Sequence, residues 1–563
     1  MSTKSEQSAP APRGQASSNI TRRGAATLQT RVMPGAAPCI QDAVHDQHGQ
    51  CWIRFGTAEK TIWFALADLI SDAPNVFRRL SSVGATCLTA RTQTALKEVV
   101  EAHEGYRPAL VSTRPGWLDE VYVFGDGTHV APRSDTREVI VTFEPNAKFA
   151  PRGTLAGWQH AVTPFTARQP LPYFCLALAL TGPILRFAPR GYVNPQAEIV
   201  GPRESGKTSL ATLAASVWAG DPESDCGGGE SWDTTVNALD DLKLTRADGF
   251  LFLDEGNLAG NSAKDQREFA LKATFKLAAT GSKRRFGDQG PGQHARLAML
   301  STTNTALADL LDGNDEARAA VRSRRITLRI ASDAPHGVFA NLPGTFTSAR
   351  TASEAMAGVA DRLWGRAARA FVKRLVIEAD RDEEGLRRLI SGGLDAYIRR
   401  DRTTPGSARV QKSFALAAVA ASLAERWDIF KREWGSPFVL TQAVAQHTCE
   451  ANDDMASNPV AKIQRYVEQH RANLIEVESL DDPLTKVAFE DAVGFLRQGR
   501  DGEEVLVPAA TLQAAFPDYE VMMRSLRTSG HARTEGGRTP KLTIKTPRAI
   551  CDGGRVYCIR LAC

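Results

Sequence analysis

Apolar and polar residues alternate in short runs over the first part of the chain. Cys51–Leu69 reads as strands, WIRFG and TIWFALADL, around a polar AEK turn. Ala73–Ser82 and Ala90–Glu104 have helical spacing. Ala109–Ser112, Val121–Phe124 and Glu138–Phe143 read as short strands, with Gly125-Asp126-Gly127 as a turn. From about Leu155 to Ile330 the pattern becomes helix, strand, glycine loop, helix, strand, helix, strand. That alternation predicts a parallel sheet covered by helices. Residues 350–445 are almost wholly helical, with Ala-rich amphipathic runs such as Ser413–Arg426. Residues 455–563 open with a helix, Val460–His470, then mix short helices, strands and glycine turns. No repeat of fixed period is present.

The expected organisation is multidomain α/β. A basic tail, 1–36, precedes an N-terminal α+β domain, 37–150. An α/β core with a parallel sheet spans 151–345, a helical lid 346–454, and a C-terminal domain 455–563. A chain of 563 residues accommodates about three to five such units.

Composition narrows the class. At 42% apolar and 24% charged residues the chain is an ordinary globular one, neither fibrous nor wholly disordered. Residues 1–36 are rich in Ala, Ser, Pro, Gly and Arg and lack a signal peptide's apolar centre, so a disordered tail is expected there. The longest apolar run, Leu171–Leu185, is too short to span a bilayer and reads as a buried helix and its end. Nine cysteines without a CxxC pair point to reduced thiols, and a cytoplasmic location without membrane contact is expected. The net charge is only +5. Val521–Cys563 alone holds nine basic residues against two acidic ones, a local +7 suited to a polyanion.

The strand Glu198-Ile199-Val200 leads into Gly201-Pro202-Arg203-Glu204-Ser205-Gly206-Lys207-Thr208, and a helical run begins at Ser209. This is GxxxxGK[ST] between a strand and a helix. The glycines allow backbone angles that aim N–H groups at phosphate oxygens, at a helix N-terminus that favours anions. Lys207 supplies a point charge for the β- and γ-phosphates of ATP, and the Thr208 hydroxyl a ligand for Mg²⁺. Gly249–Leu253 is an apolar strand ending in Asp254-Glu255. There Asp254 would hold Mg²⁺ and Glu255 would act as general base on the attacking water.

A third apolar strand, Leu297–Leu300, ends in Ser301-Thr302-Thr303-Asn304. Asn304, with Thr303 as the alternative, is placed to sense the γ-phosphate, although an Asn here could also cap the following helix. Arginines follow at 318, 322, 324 and 325. Arg325 and Arg324, ahead of Arg322, are the candidates for a finger reaching a neighbouring subunit's nucleotide. Between these elements, Lys283-Arg284-Arg285-Phe286 lies among glycine turns and suits a hairpin gripping a nucleic-acid backbone.

Taken together these motifs resemble an AAA+ ATPase core. In finer detail the chain resembles the Cch-like helicases of mobile genetic elements. The carrying segments are Pro115-Gly-Trp117, Asp233–Ala238, Ala279–Arg285, Ser301–Leu310, Gly337–Gly344 and Ala408–Leu416, in that order. The family resembles minichromosome-maintenance helicases. The resemblance therefore implies a homo-hexameric ring, ATP between subunits, single-stranded or forked DNA in the pore, Lys283–Arg285 lining that pore, and Arg409 as a second sensor arginine.

Near the C-terminus, Val507–Phe516 and Tyr519–Ser529 read as helices. His531–Thr534, a Glu535-Gly-Gly537 turn, Lys541–Lys545 and a final strand Arg555–Leu561 follow. Two helices and a basic hairpin form a winged-helix pattern. Its second helix, with Arg524 and Arg527, would approach a DNA groove, and the wing, with Arg533, Arg538, Lys541 and Lys545, would contact phosphates. Such a domain can instead hold a protein partner. The resulting expectation is an ATP-dependent DNA helicase or translocase, the replication initiator of a mobile element or prophage. Two alternatives use the same ATP site: a nucleotide-dependent DNA-binding switch or loader, and a partner-remodelling ATPase.

Overall fold

The computed structural model describes residues 40–560, apart from 57–60, 85–87, 256–262, 282–293, 312–314, 402–406, 457–462, 464–465, 467–469, 471–472, 478–488, 490–491, 500–501, 517–518, 529, 536–540, 548–549 and 551–552. The expected tail 1–36, the cations Lys283, Arg284 and Arg285, Arg538 and most of the 460–470 helix thus lie outside the described residues. The chain divides into two compact units, Met1–Ala109 and Leu110–Cys563.

In the first unit, β1 (Asp42–His45), β2 (Cys51–Gly56) and β3 (Thr61–Ala65) pair antiparallel. β4 (Arg107–Pro108) lies parallel to β1, giving the order β3-β2-β1-β4. The strand expected over Thr61–Leu69 ends at Ala65, because Asp68–Ser71 turns into a short helix, α1. Ile53, Phe55 and Phe64 pack on Val76, Phe77 and Leu80 of α2 (Ala73–Ser82) and Leu96 and Val100 of α3 (Ala90–Glu101). Thr89 and Thr92 cap α3 reciprocally, each side chain accepting from the other's backbone N–H.

The second unit begins with small strands: β5 (Leu110–Ser112), β6 (Gly116–Leu118), β7 (Val121–Val123), β8 (His129–Val130) and β9 (Val139–Val141). Expectation had placed a boundary at residue 150. Long-range bonds instead hold this segment to the core. Buried Asp248 accepts from Trp117 N at 3.1 Å and from Arg296 Nε at 2.8 Å. Tyr122 donates to the Asp248 carbonyl at 2.9 Å, and Trp117 Nε1 to the Pro183 carbonyl at 3.1 Å. Gly116 has φ +107, and a Cβ there would collide with Asp248 and the Ala247 carbonyl. The Pro115-Gly-Trp117 motif is therefore a close-approach device.

Helices α4 (Leu155–Thr166), α5 (Pro170–Ala179) and α6 (Thr181–Ile184) come next, and α5–α6 accounts for the long apolar run as buried helix. Among the described residues no helix is long and apolar enough to cross a membrane. The central sheet then alternates with helices: β10 (Gln196–Val200), α7 (Lys207–Ala215), β11 (Glu230–Ser231), α8 (Ala238–Thr245), β12 (Gly249–Asp254), α9 (Ala263–Ala278), β13 (Leu297–Thr303), α10 (Asp315–Arg322) and β14 (Ile326–Arg329). All pairings are parallel, in the order β14-β10-β13-β12-β11. Every residue of β10, β12 and β13 is buried, as expected of strands covered on both faces.

Helices α11 (Ala349–Ala360), α12 (Arg366–Arg400, broken at Asp382), α13 (Ala408–Arg426) and α14 (Pro437–Ala456) complete the region. Their buried faces join the same hydrophobic cluster as α5, α7 and the sheet. Phe174 against Phe414, ring centroids 5.1 Å apart, is one such contact.

A separate sheet follows: β15 (Ile475–Glu476), β16 (Phe495–Gly499), β17 (Gly502–Pro508), β18 (Ala532–Arg533), β19 (Ile544–Lys545) and β20 (Arg555–Arg560). Between β17 and β18 run α15 (Ala509–Ala515) and α16 (Tyr519–Thr528), whose Leu512, Met522, Met523 and Leu526 pack on the sheet. One expectation is corrected. Among the described residues, His531–Thr534 and Lys541–Lys545 do not pair as a hairpin. β18 and β19 each pair antiparallel with β20, whose long apolar run is the better ladder partner.

Candidate functional site

The parallel sheet sends the carboxyl ends of β10, β12 and β13 to one edge, where ligand crevices form in such sheets. The Gly201–Thr208 loop leaves β10 there and turns into α7. Glu204 at φ +61 and Gly206 at φ +86 take left-handed backbone angles, which lets the loop fold tightly onto the helix N-terminus. Pro202, Arg203 and Glu204 are exposed, Ser205, Thr208 and Ser209 half-buried, and Lys207 buried. Lys207 Nζ lies within the loop, donating to the carbonyls of Gly201 at 2.9 Å and Pro202 at 2.6 Å. Burial lowers its pKa, and the charge of Asp254 opposes that shift.

The loop is supported from behind. Gly201 lies against Ile330, which donates to the Val200 carbonyl at 2.7 Å. Gly337 has φ +57, and a Cβ there would overlap the Ser205 carbonyl. Val338 N donates to that same carbonyl at 3.0 Å. Buried Gln169 then clasps the chain, accepting from Ala340 N at 2.9 Å and donating to the Asn341 carbonyl at 2.7 Å. The Gly337–Gly344 motif is thus the loop's outer brace.

Thr208 Oγ1 donates to Asp254 Oδ1 at 3.1 Å. A hydroxyl, a carboxylate and the Lys207 cation therefore converge. That oxygen set fits Mg²⁺, which takes one or two protein oxygens plus phosphates and water. Thr302 Oγ1 also donates to Asp254 Oδ1 and accepts from Glu255 N at 3.3 Å. Glu255 itself is exposed, at φ +60. Asn304 stands exposed in a bend one residue beyond β13. Buried Thr303 donates to the Thr305 carbonyl. Sequence reasoning passed over Thr302, because a Thr in an apolar run reads as an ordinary β-branched strand residue.

The arginines divide. Arg325 is corrected as a finger: it is 2% exposed and donates to Ser301 Oγ at 3.2 Å and Gln196 Oε1 at 2.9 Å inside its own sheet. Beside it, Glu198 is wholly buried and accepts from Thr327 Oγ1 and Leu307 N. Burial raises the Glu198 pKa, while the charge of Arg325 acts against the rise. Glu198 and Arg325 thus share one buried polar stripe across β10, β13 and β14. Arg322 pairs with Asp309 at 3.3 Å, and Asp309 also holds Arg329 at 2.7 Å. Arg324 is half-buried, 4.2 Å above the Phe275 ring, and burial followed by repulsion from Arg409 lowers its pKa. Ser407 Oγ donates to the Ser323 carbonyl at 2.7 Å, fixing the start of α13 there. Arg409 lies with Arg324, beside the amino end of β14, and not with its own chain's phosphate loop at the carboxyl end of β10.

Lys283–Arg285 belong to segment 282–293, outside the described residues, but its base is described. Gly281 and His294 bridge antiparallel. Asn194 Nδ2 donates to the carbonyls of Leu277, Ala279 and Ala295. Buried Lys243 donates to the carbonyls of Lys276 and Ala279, capping the end of α9. In the C-terminal sheet, Arg524 and Arg527 are exposed on α16, and Arg533, Lys541 and Lys545 on or beside β18 and β19. Arg524 pairs with Glu520 at 3.1 Å.

Residues 40–296 match a family model described as a domain of unknown function, DUF927. No curated protein matches the chain. A solved structure titled "SCCmec type IV Cch - active helicase" is similar over 93% of this chain and 93% of its own, at 12% identity and a TM-score of 0.52. That likeness shows a shared fold, a multidomain α/β architecture. The apo structure of the NrS-1 C-terminal region matches 68% of this chain and 90% of its own, at 10% identity and a TM-score of 0.24.

Proposed function

We propose that this protein is an ATP-dependent DNA helicase or translocase, acting as a replication-initiator helicase of a mobile element or prophage. The observation that carries the reading is the meeting of Lys207, Thr208, Asp254 and Glu255 at the carboxyl ends of β10 and β12, the parallel strands on either side of β13. The shared fold with a structure titled an active helicase supports it. In this reading the core is of AAA+ type, α11–α14 form its lid, and the C-terminal sheet with α15 and α16 is a winged-helix domain.

ATP with Mg²⁺ would supply a transferable phosphoryl group. Residues Gly201–Ser209 bind the phosphates through backbone N–H groups, Lys207 balances their charge, and Thr208 and Asp254 are the metal's protein ligands. Glu255 takes a proton from the attacking water, and Asn304 orients that water. Arg324 and Arg409 sit together, away from their own phosphate loop by the length of β10. Their position suits a neighbouring copy's nucleotide, as a homo-hexameric ring would require. Lys283, Arg284 and Arg285 grip one DNA strand, and Arg524, Arg527, Arg533, Arg538, Lys541 and Lys545 contact duplex phosphates.

The direct test is ATP hydrolysis with and without DNA. The wild-type protein is expected to hydrolyse ATP faster with forked DNA, and Lys207→Ala to remove both basal and stimulated turnover. Normal turnover by that variant refutes the site. A second variant probes the brace. Gly337→Ala forces a Cβ into left-handed backbone and against Ser205. It is expected to weaken binding of a fluorescent ATP analogue about tenfold. Gly344→Ala, which meets open space, is the control and should leave affinity unchanged.

A further inference from the structure

We infer that Thr302 is the positioning residue of Glu255: its hydroxyl latches the backbone that aims this carboxylate. The inference rests on the reading of Glu255 as general base.

Glu255 has φ +60, a region that residues with a Cβ avoid and that persists only where surroundings impose it. The imposing group is visible. Glu255 N donates to Thr302 Oγ1 at 3.3 Å, and the same hydroxyl donates its one proton to Asp254 Oδ1. Accepting from one residue and donating to the next, Thr302 spans the Asp254–Glu255 bond where the chain leaves β12. Thr208 donates to the same Asp254 oxygen at 3.1 Å, so the carboxylate is held from both sides.

The latch stands on a rigid support. Thr302 is 2% exposed, in a strand paired on both edges, opposite Ile199 of β10 and next to Ser301, which pairs with Leu253 of β12. A β-branched side chain there has restricted χ1, so its hydroxyl direction is set by the strand. Without the hydroxyl, Glu255 N and Asp254 Oδ1 each lose a partner. The turn would then relax toward ordinary backbone angles and swing the carboxylate. A misplacement of about 1 Å at a reacting centre can cost roughly 100-fold in rate.

The test compares Thr302→Val, which keeps shape and branching, with Thr302→Ser, which keeps the hydroxyl. Thr302→Val is expected to lose roughly 100-fold in kcat with KM for ATP within about threefold, and Thr302→Ser to stay within about threefold of wild type in both. In the nucleotide-free protein, amide hydrogen exchange of a peptide containing Glu255 should accelerate in Thr302→Val and not in Thr302→Ser. The inference is overturned by a Val variant with wild-type kcat, by a Ser variant as slow as the Val variant, or by unchanged exchange at Glu255 in the Val variant. A wild-type protein without ATP hydrolysis overturns the reading of the site and this role together. An active wild type with an unimpaired Val variant overturns this role alone.

Discussion

Glu255→Gln is expected to give a protein that still takes up ATP but hydrolyses it about a thousand-fold more slowly. The amide keeps the shape of the carboxylate and loses its basicity, and a positioned general base contributes on the order of 10²–10⁴-fold. Binding should survive, because the phosphate contacts come from the loop and Lys207. Those groups bond within the loop and to its brace, not to Glu255. Single-turnover hydrolysis and analogue binding, measured on one preparation, separate the two effects. A Gln variant that hydrolyses at the wild-type rate would move the base elsewhere. A variant that no longer binds would mean that residue 255 shapes the loop.

The second large effect concerns DNA. Replacing Lys283, Arg284 and Arg285 together by Ala is expected to abolish DNA stimulation of turnover and leave basal hydrolysis in place. Each cation facing a single-strand phosphate adds about 0.7 to the slope of log affinity against log salt, so the triple variant should lose roughly 2 from that slope. The clasp by Asn194 and Lys243 gives the prediction a structural control. These side chains hold the base of the segment through backbone carbonyls and are untouched by the substitution. The fold, read by thermal unfolding, should therefore be unchanged. DNA stimulation that persists in the triple variant removes these cations from the DNA path.

Local signals in the sequence carried far. The spacing that predicts Ala73–Ser82 matches α2 residue for residue. The short strand read before Gly201 and the apolar one before Asp254 appear as β10 and β12, both buried throughout. Long-range pairing was the limit. β1 is four residues with only two buried, and β11 is two residues long, so neither makes a periodic run. The 110–150 segment joins the second unit through Asp248, more than a hundred residues away, which no local period reveals. The sequence offers Arg325 as a finger reaching a neighbouring subunit, since arginines are rarely fully buried. Its partners, Gln196 and Ser301, come together only through strand register. Thr302 was hidden in the same way, since its value depends on which strand lies beside β13.

The central claim is that ATP hydrolysis at this site drives separation of DNA strands. Its most direct test is displacement of a labelled strand from a forked duplex by the full-length protein with ATP and Mg²⁺. The wild type is expected to release the strand, while Glu255→Gln binds the fork and leaves it annealed. A wild-type protein that binds the fork and hydrolyses ATP, yet releases no strand, would contradict the account and leave a nucleotide-dependent switch or loader in its place.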